Sequence, residues 1–215
     1  MLISLAAAAA TRTLIMTIHR FSLAFKPCVQ RGGSRCDKMR LISLKELSMK
    51  TVAVQSLSAD AFQPFGSFAN MIDPKNFGFG EPPVQFVRDI IQANFGGPTA
   101  VSFSVCRVAA RPMVIDAAEY HNRCCEAIMP LDIDVLIHVA PGTSPAAPPP
   151  VDLFQVFRVP QGTLVVLRPG VWHLAPYTVN DKPANVLVVL PERTYANDCV
   201  FVPFPEGQSL EIVGY

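Results

Sequence analysis

Charge is scarce in this chain. Only 16% of its 215 residues are Asp, Glu, Lys or Arg, and the formal net charge is +1. What charge there is divides unevenly. Residues 1–48 hold eight Lys or Arg against two Asp or Glu, and the rest of the chain holds ten against fifteen. A body of net negative sign presents no basic stripe to phosphates, which sets nucleic acid aside as a partner. Six cysteines are present (Cys28, Cys36, Cys106, Cys124, Cys125 and Cys199) but no CxxC pair, and the adjacent Cys124 and Cys125 would make strained zinc ligands. Neither a zinc ribbon nor a disulfide framework is signalled, so reduced thiols in a cytoplasmic protein are expected.

An uninterrupted apolar run is also missing. Crossing a bilayer takes about 20 mainly apolar residues, and in "MLISLAAAAATRTLIMTIHRFSLAF" Arg12, His19 and Arg20 break the run. A secretory signal carries positive charge ahead of its apolar stretch, and here only the amino terminus precedes Leu2. The acid-poor, arginine-bearing segment resembles an organelle transit peptide and equally resembles translated upstream sequence, because "MKTVAVQ" from Met49 reads like the start of a domain. The second reading is preferred. It makes residues 1–48 a poorly packed extension and residues 49–215 the functional domain, without a membrane anchor.

Apolar residues, by contrast, make up half of the chain, and its 20 prolines and 12 glycines are scattered rather than clustered. That suits many short strands joined by turns, so the expected fold is all-β with one or two short helices. "TVAVQSL" alternates as a half-buried strand does. In "SADAFQPFGSF" Ser58 serves as an N-cap for a short helix that stops near Pro64 and Gly66. Residues 70–83 read as a loop anchored by Phe77 and Phe79, and "VQFVRDIIQAN" as a strand. "TAVSFSVCRV", "MVIDAAEYH", "DVLIHVAPG", "LFQVFRVP", "GTLVVLRPG", "ANVLVVLPE", "DCVFVPFP" and "LEIVGY" follow as strands at the spacing of a sandwich or barrel. "PGTSPAAPPPVD" is a stiff surface loop.

Two segments carry chemistry. In "EYHNRCCEAIMPLDIDV", Glu119 and His121 are two apart on a strand and share a face, and a loop lets Glu126 return beside them. In "GTLVVLRPGVWH", a strand meets a Pro169–Gly170 turn that presents His173 across the sheet, with Trp172 packed beside it. Histidine titrates near neutrality and suits general acid–base work. An arginine, Arg107 or Arg168, can clamp a carboxylate with a two-pronged contact, and Tyr177 completes the expected substrate-binding set. His138, alone in an apolar strand, reads as a hydrogen-bonded core residue. The competing reading makes Glu119 and Glu126 rim carboxylates in weak surface pairs.

His121 followed by Glu126, then Gly162, Pro169–Gly170 and His173, resembles the two motifs of the cupin superfamily. Within it, "ADAFQPFGSF", "SFSVCRV", "EYH", "PLDIDVLIHVAPG", "RPGVWHLAP" and "NDCVFVPFPE" resemble ureidoglycolate lyases, also called ureidoglycolate hydrolases. The resemblance implies a double-stranded β-helix, or jelly-roll barrel, whose mouth holds the substrate or a metal. It implies cleavage of ureidoglycolate to glyoxylate and urea in allantoin and purine nitrogen catabolism, with His121, His173 and Glu119 as catalytic groups. The reading commits to no cofactor; a divalent ion on His121, Glu126 and His173, with Glu119 as a fourth ligand, is compatible with it. A homodimer is expected. Two departures stand out: many metal cupins have histidine where this chain has Glu119, which removes a three-histidine metal site, and ureidoglycolate lyases often have histidine in place of Leu174. Two other classes compete: a non-catalytic cupin that binds a small carboxylate, and a different cupin enzyme such as an isomerase or oxygenase.

Overall fold

A computed structural model describes residues 49–97, 100–144 and 146–215. The expectation of a poorly packed extension over residues 1–48 lies outside the described residues. Among the described residues, fifteen strands and two short α-helices are formed. The strands are β1 (Lys50–Ser56), β2 (Gly66–Asn70), β3 (Gly78–Phe79), β4 (Phe86–Val87), β5 (Val101–Val108), β6 (Val114–Ile115), β7 (Ala117–Tyr120) and β8 (Glu126–Pro130). They continue as β9 (Val135–Val139), β10 (Gln155–Val159), β11 (Thr163–Leu167), β12 (Tyr177–Thr178), β13 (Ala184–Pro191), β14 (Val200–Pro203) and β15 (Leu210–Val213). The helices are α1 (Ala59–Phe62) and α2 (Thr194–Asn197).

Two main sheets form, ordered β12-β9-β10-β1-β15-β6 and β2-β11-β8-β13-β5, with the small ribbons β14-β7 and β3-β4 beside them. Pairing is antiparallel except that β1 runs parallel to β10 and β15. Strand alternation then sorts each side chain to one face. Ile128, Val165, Leu167 and Val186 from the five-stranded sheet meet Val135, Ile137, Val139 and Phe157 from the six-stranded sheet in one core. Phe62 and Phe65 close that core from α1 and its exit, their rings 5.2 and 5.9 Å from Phe157 in edge-to-face contact. Ser58 caps α1, its Oγ accepting from the Ala61 amide at 3.3 Å. A second core on the other face of the six-stranded sheet gathers Leu136, Val156, Trp172, Tyr177 and Ile212. The two-sheet β-rich architecture matches the all-β expectation, although the sheets do not close into a continuous barrel.

Three local expectations are corrected. Residues 84–94 do not form one strand: only Phe86–Val87 pairs, with Gly78–Phe79. Beyond it Ile91, Ala93 and Phe95 pack their side chains on the outer face of the five-stranded sheet, which produces a strand-like alternation without a partner backbone. Phe77 and Phe79 are not anchors: both are largely exposed, and Phe79 meets only the ring of Phe86, at 5.2 Å, on the surface. The single strand expected over 113–121 is two, because Asp116 accepts from the Phe204 amide where the chain leaves β15 and joins β14.

Candidate active site

The two chemistry-bearing segments meet through their backbones. Glu119 and His173 form an antiparallel bridge, with hydrogen bonds of 2.6 and 2.8 Å between their main chains. The Gly170 amide donates to the His121 carbonyl at 2.6 Å, and Gly170 sits at φ +82°, a conformation that glycine adopts without a Cβ penalty. The Pro169–Gly170 turn is therefore what lays one segment against the other. Alternation then sends Trp172 away from His173. Instead of packing beside it, Trp172 lies in the second core, its ring 4.5 Å from that of Tyr120 and its indole N–H donating to Thr143 Oγ1 at 3.1 Å.

His121, Glu126 and His173 are all buried. Glu126 starts β8 with its side chain on the inner face, opposite Leu167 in register. Its Oε2 stands 3.1 Å from His121 Nε2 and 2.8 Å from His173 Nε2. The other nitrogen of each ring is already committed: Nδ1 of His121 lies 2.6 Å from the Asp198 carbonyl, and Nδ1 of His173 lies 2.8 Å from the Val171 carbonyl. Carbonyls only accept, so each Nδ1 carries the hydrogen and each Nε2 is left to face a carboxylate oxygen. Two lone pairs would oppose each other on each line unless a proton, or a cation in its place, lies there.

The electrostatics place a charge pair on the His173 line. Burial alone would raise the Glu126 carboxyl, but the two imidazoles outweigh it and lower its pKa to about 2. Burial alone would lower His173, but the Glu126 carboxylate beside it raises it above the ordinary imidazole value. Glu126 and His173 thus form a buried ion pair. The rim-carboxylate reading fails for Glu126, which is buried between two rings rather than solvated.

These groups line a cavity of about 200 Å³ together with Glu119, Cys106 and Cys199. Its apolar wall includes Ile128, Leu174 and Pro176, and Tyr195 of α2 borders it. Cys199 Sγ donates to Glu119 Oε2 at 3.2 Å. Burial and that carboxylate push the Cys199 thiol up to about 12, so it stays a donor.

Glu119, His121 and His173 each offer a ligand atom, all within 4.8 Å of one another. The donor set fits a divalent ion. Both imidazoles are oriented by Nδ1–H to backbone carbonyls, as metal-bound histidines are, and their Nε2 atoms, which face Glu126, also converge with the Glu119 carboxylate. Glu126 bridges the two rings rather than standing at the edge of the set.

The expected substrate-binding residues are not brought there. Arg107 Nε donates to Asn185 Oδ1 at 3.1 Å on the exposed side of β5, because alternation puts it on the face opposite Cys106. Arg168 is exposed and reaches the Pro64 carbonyl at 3.5 Å. Tyr177 is buried and donates to the Val114 carbonyl at 2.5 Å. Its ring instead carries a different arginine, Arg111, whose guanidinium carbon lies 3.9 Å from the ring centroid. Arg111 Nη2 donates to the carbonyls of Ala175 and Pro176, two residues of the cavity wall, at 2.5 and 3.0 Å. Sequence reading passed over Arg111, which no motif marks, and also Asp198, which stands inside the quoted "NDCVFVPFPE". His138 is corrected as well: it is fully buried, yet among the described residues neither ring nitrogen has a hydrogen-bond partner of good geometry.

A family model described as ureidoglycolate lyase matches residues 49–211. The chain belongs to the ureidoglycolate lyase family. No curated relative matches it. Among solved structures, an oxalate decarboxylase from Bacillus subtilis is similar at 13% identity and a TM-score of 0.34, covering 49% of this chain and 24% of that one. The oxalate decarboxylase of Lactobacillus farciminis is similar at 15% identity and TM-score 0.34, covering 47% and 26% of the two chains. A dTDP sugar isomerase from Desulfovibrio desulfuricans G20 is similar at 15% identity and TM-score 0.41, covering 67% and 89%. This chain therefore spans about a quarter of the length of the decarboxylases. No helix among the described residues is long and apolar enough to cross a membrane.

Proposed function

We propose that this protein is a carbon–nitrogen lyase that cleaves ureidoglycolate to glyoxylate and urea in the cytoplasm, within purine nitrogen catabolism by way of allantoin. The observation that carries the reading is the convergence of two Nδ1-anchored imidazoles on one buried carboxylate, in a cavity of about 200 Å³ suited to a small metabolite. Ureidoglycolate bears a hydroxyl, a carboxylate and a urea nitrogen on one carbon. His121 takes the hydroxyl proton, the C–O bond becomes the carbonyl of glyoxylate, and the C–N bond breaks with its electron pair leaving on nitrogen. His173, held as the acid by Glu126, delivers its proton to that nitrogen. No water is consumed and nothing is oxidised. Glu126 orients both rings, Glu119 faces the same cavity, and Arg111, held on the carbonyls of the cavity-wall residues Ala175 and Pro176, adds positive charge behind that wall for the substrate carboxylate. A divalent ion on His121, His173 and Glu119 would supply Lewis-acid polarisation of a substrate oxygen.

The test is an assay of urea and glyoxylate release. His173→Ala is expected to lower kcat by about 10²–10⁴-fold, the scale of a lost general acid, whereas Arg111→Gln is expected mainly to raise KM. Tight binding of ureidoglycolate without turnover by the unaltered protein would favour the carboxylate-binding alternative.

The same reading includes a homodimer. β5 is the edge of the five-stranded sheet, and along it Phe103 and Val105 are 75% and 60% exposed. A long apolar edge strand invites pairing with another strand. Phe103→Glu is expected to convert a dimer to a monomer in analytical ultracentrifugation; a monomeric unaltered protein would refute the pairing.

A further inference from the structure

Two consecutive residues with no part in the reaction above each hold one of the groups that face the cavity. The Asp198 carbonyl accepts from His121 Nδ1 at 2.6 Å, and its carboxylate accepts from the amides of Asn122 at 3.0 Å and Arg123 at 2.7 Å. One residue therefore grips both the ring of His121 and the main chain just beyond it. The next residue, Cys199, donates from Sγ to Glu119 Oε2 at 3.2 Å. The segment that leads in, α2, is short: Thr194 is buried, its Oγ1 donating to the Pro191 carbonyl at 2.8 Å, but Tyr195, Ala196 and Asn197 are exposed, so packing does little to place its last turn. Its positioning falls to the Asp198 amide, which donates to the Thr194 carbonyl at 2.8 Å, and to the carboxylate. A carboxylate accepting from two consecutive backbone amides makes charge-assisted hydrogen bonds, stronger than neutral ones. Without it two amide donors lose their acceptor and the Asp198 carbonyl is released from its place over Nδ1.

We propose that Asp198 and Cys199 form a positioning clamp, in which Asp198 fixes the tautomer and orientation of the His121 ring while Cys199 fixes the Glu119 carboxylate. Neither touches the reacting atoms on this reading. The clamp rests on the assignment of His121 and Glu119 to the active site, and the hydrogen-bond partners of site imidazoles typically affect function by about 10–100-fold.

The test uses the full chain labelled with ¹⁵N. Long-range proton–nitrogen spectra read the tautomer of each imidazole, and kinetics on ureidoglycolate run in parallel. In the unaltered protein His121 is expected as the Nδ1–H form. Asp198→Asn replaces one acceptor oxygen with an NH₂ group of similar shape. It is expected to mix the His121 tautomers and to lower kcat by about 10–100-fold with KM little changed. Cys199→Val is expected to lower kcat, and Cys199→Ser, which keeps a donor, to restore most of it. An Asp198→Asn protein with unchanged His121 spectra, or a Cys199→Ser protein as impaired as Cys199→Val, overturns the clamp. If Asp198→Asn does not fold, the Val and Ser pair at position 199 decides. Should the unaltered protein fail to turn over ureidoglycolate, the substrate reading fails, and the His121 spectra still decide the clamp.

Discussion

Glu126→Gln is expected to abolish most of the activity and to remove one arm of the stability–pH profile. The amide carries no charge: its oxygen can accept from His173 Nε2–H, but it gives that imidazolium no counter-ion. kcat is expected to fall by at least about 10²-fold, in line with loss of a group that sustains acid–base chemistry. His173 loses the carboxylate that raises it, so burial prevails and its titration moves below the ordinary imidazole value, which a proton NMR titration reads directly. In the unaltered, metal-free protein the pair works in two directions. Glu126 is lowered from 4.5 to about 2 on folding, so its contribution is complete above 4.5 and is lost as pH falls through 2. His173 is raised above 6.5, so its contribution is complete below 6.5 and is lost as pH rises through its folded value. The pair therefore stabilises most between about pH 4.5 and 6.5, by on the order of 3 kcal/mol. In a His138→Leu background, where that ring no longer titrates, urea unfolding across that range should show a plateau that is absent once Glu126→Gln is added; superimposable profiles would contradict the ion pair.

The second large effect is expected at His138. Its ring lies between Phe154 and Tyr177, at 5.8 and 5.7 Å, without a hydrogen-bond partner. Burial, helped by the charges of His173 and Arg111, lowers its pKa from 6.5 to about 3. An unfolded chain takes up this proton more readily than the folded one, so stability is complete above pH 6.5 and falls as the pH drops towards 3, by on the order of 5 kcal/mol in all. His138→Leu removes both the titration and an unsatisfied polar ring. Stability at pH 7 is expected to hold or to rise by about 1 kcal/mol, with a gain that grows at pH 4.5. A variant weakened by more than about 2 kcal/mol at pH 7 would mean that the imidazole makes a hydrogen bond after all.

Much of this was legible in the sequence because it follows from alternation and turn chemistry. Period-two patterning marked the strands of the main sheets, Ser58 marked its helix, and Pro169–Gly170 marked the turn that delivers His173. Local patterns do not state what lies across a sheet. The alternation of Ile91, Ala93 and Phe95 comes from packing on a face, not from a paired backbone. Arg107 lies on β5 and Arg168 just past the end of β11, near site residues, but their side chains point elsewhere, and a change of strand partner at Asp116 is invisible to a pattern of apolar residues. Arg111 and Asp198 act through backbone carbonyls and amides, which any residue type can supply, so no residue spacing announces them.

The bridge between Glu119 and His173 has a bearing on how the protein comes into being. These residues are separated by more than fifty positions, and contacts between remote parts of a chain form late and slowly because the intervening loop must first be closed. Catalytic competence should thus emerge only once the whole domain has condensed. During renaturation the recovery of turnover will trail the appearance of β-sheet circular dichroism and coincide with the return of the environment around the sole indole, at Trp172.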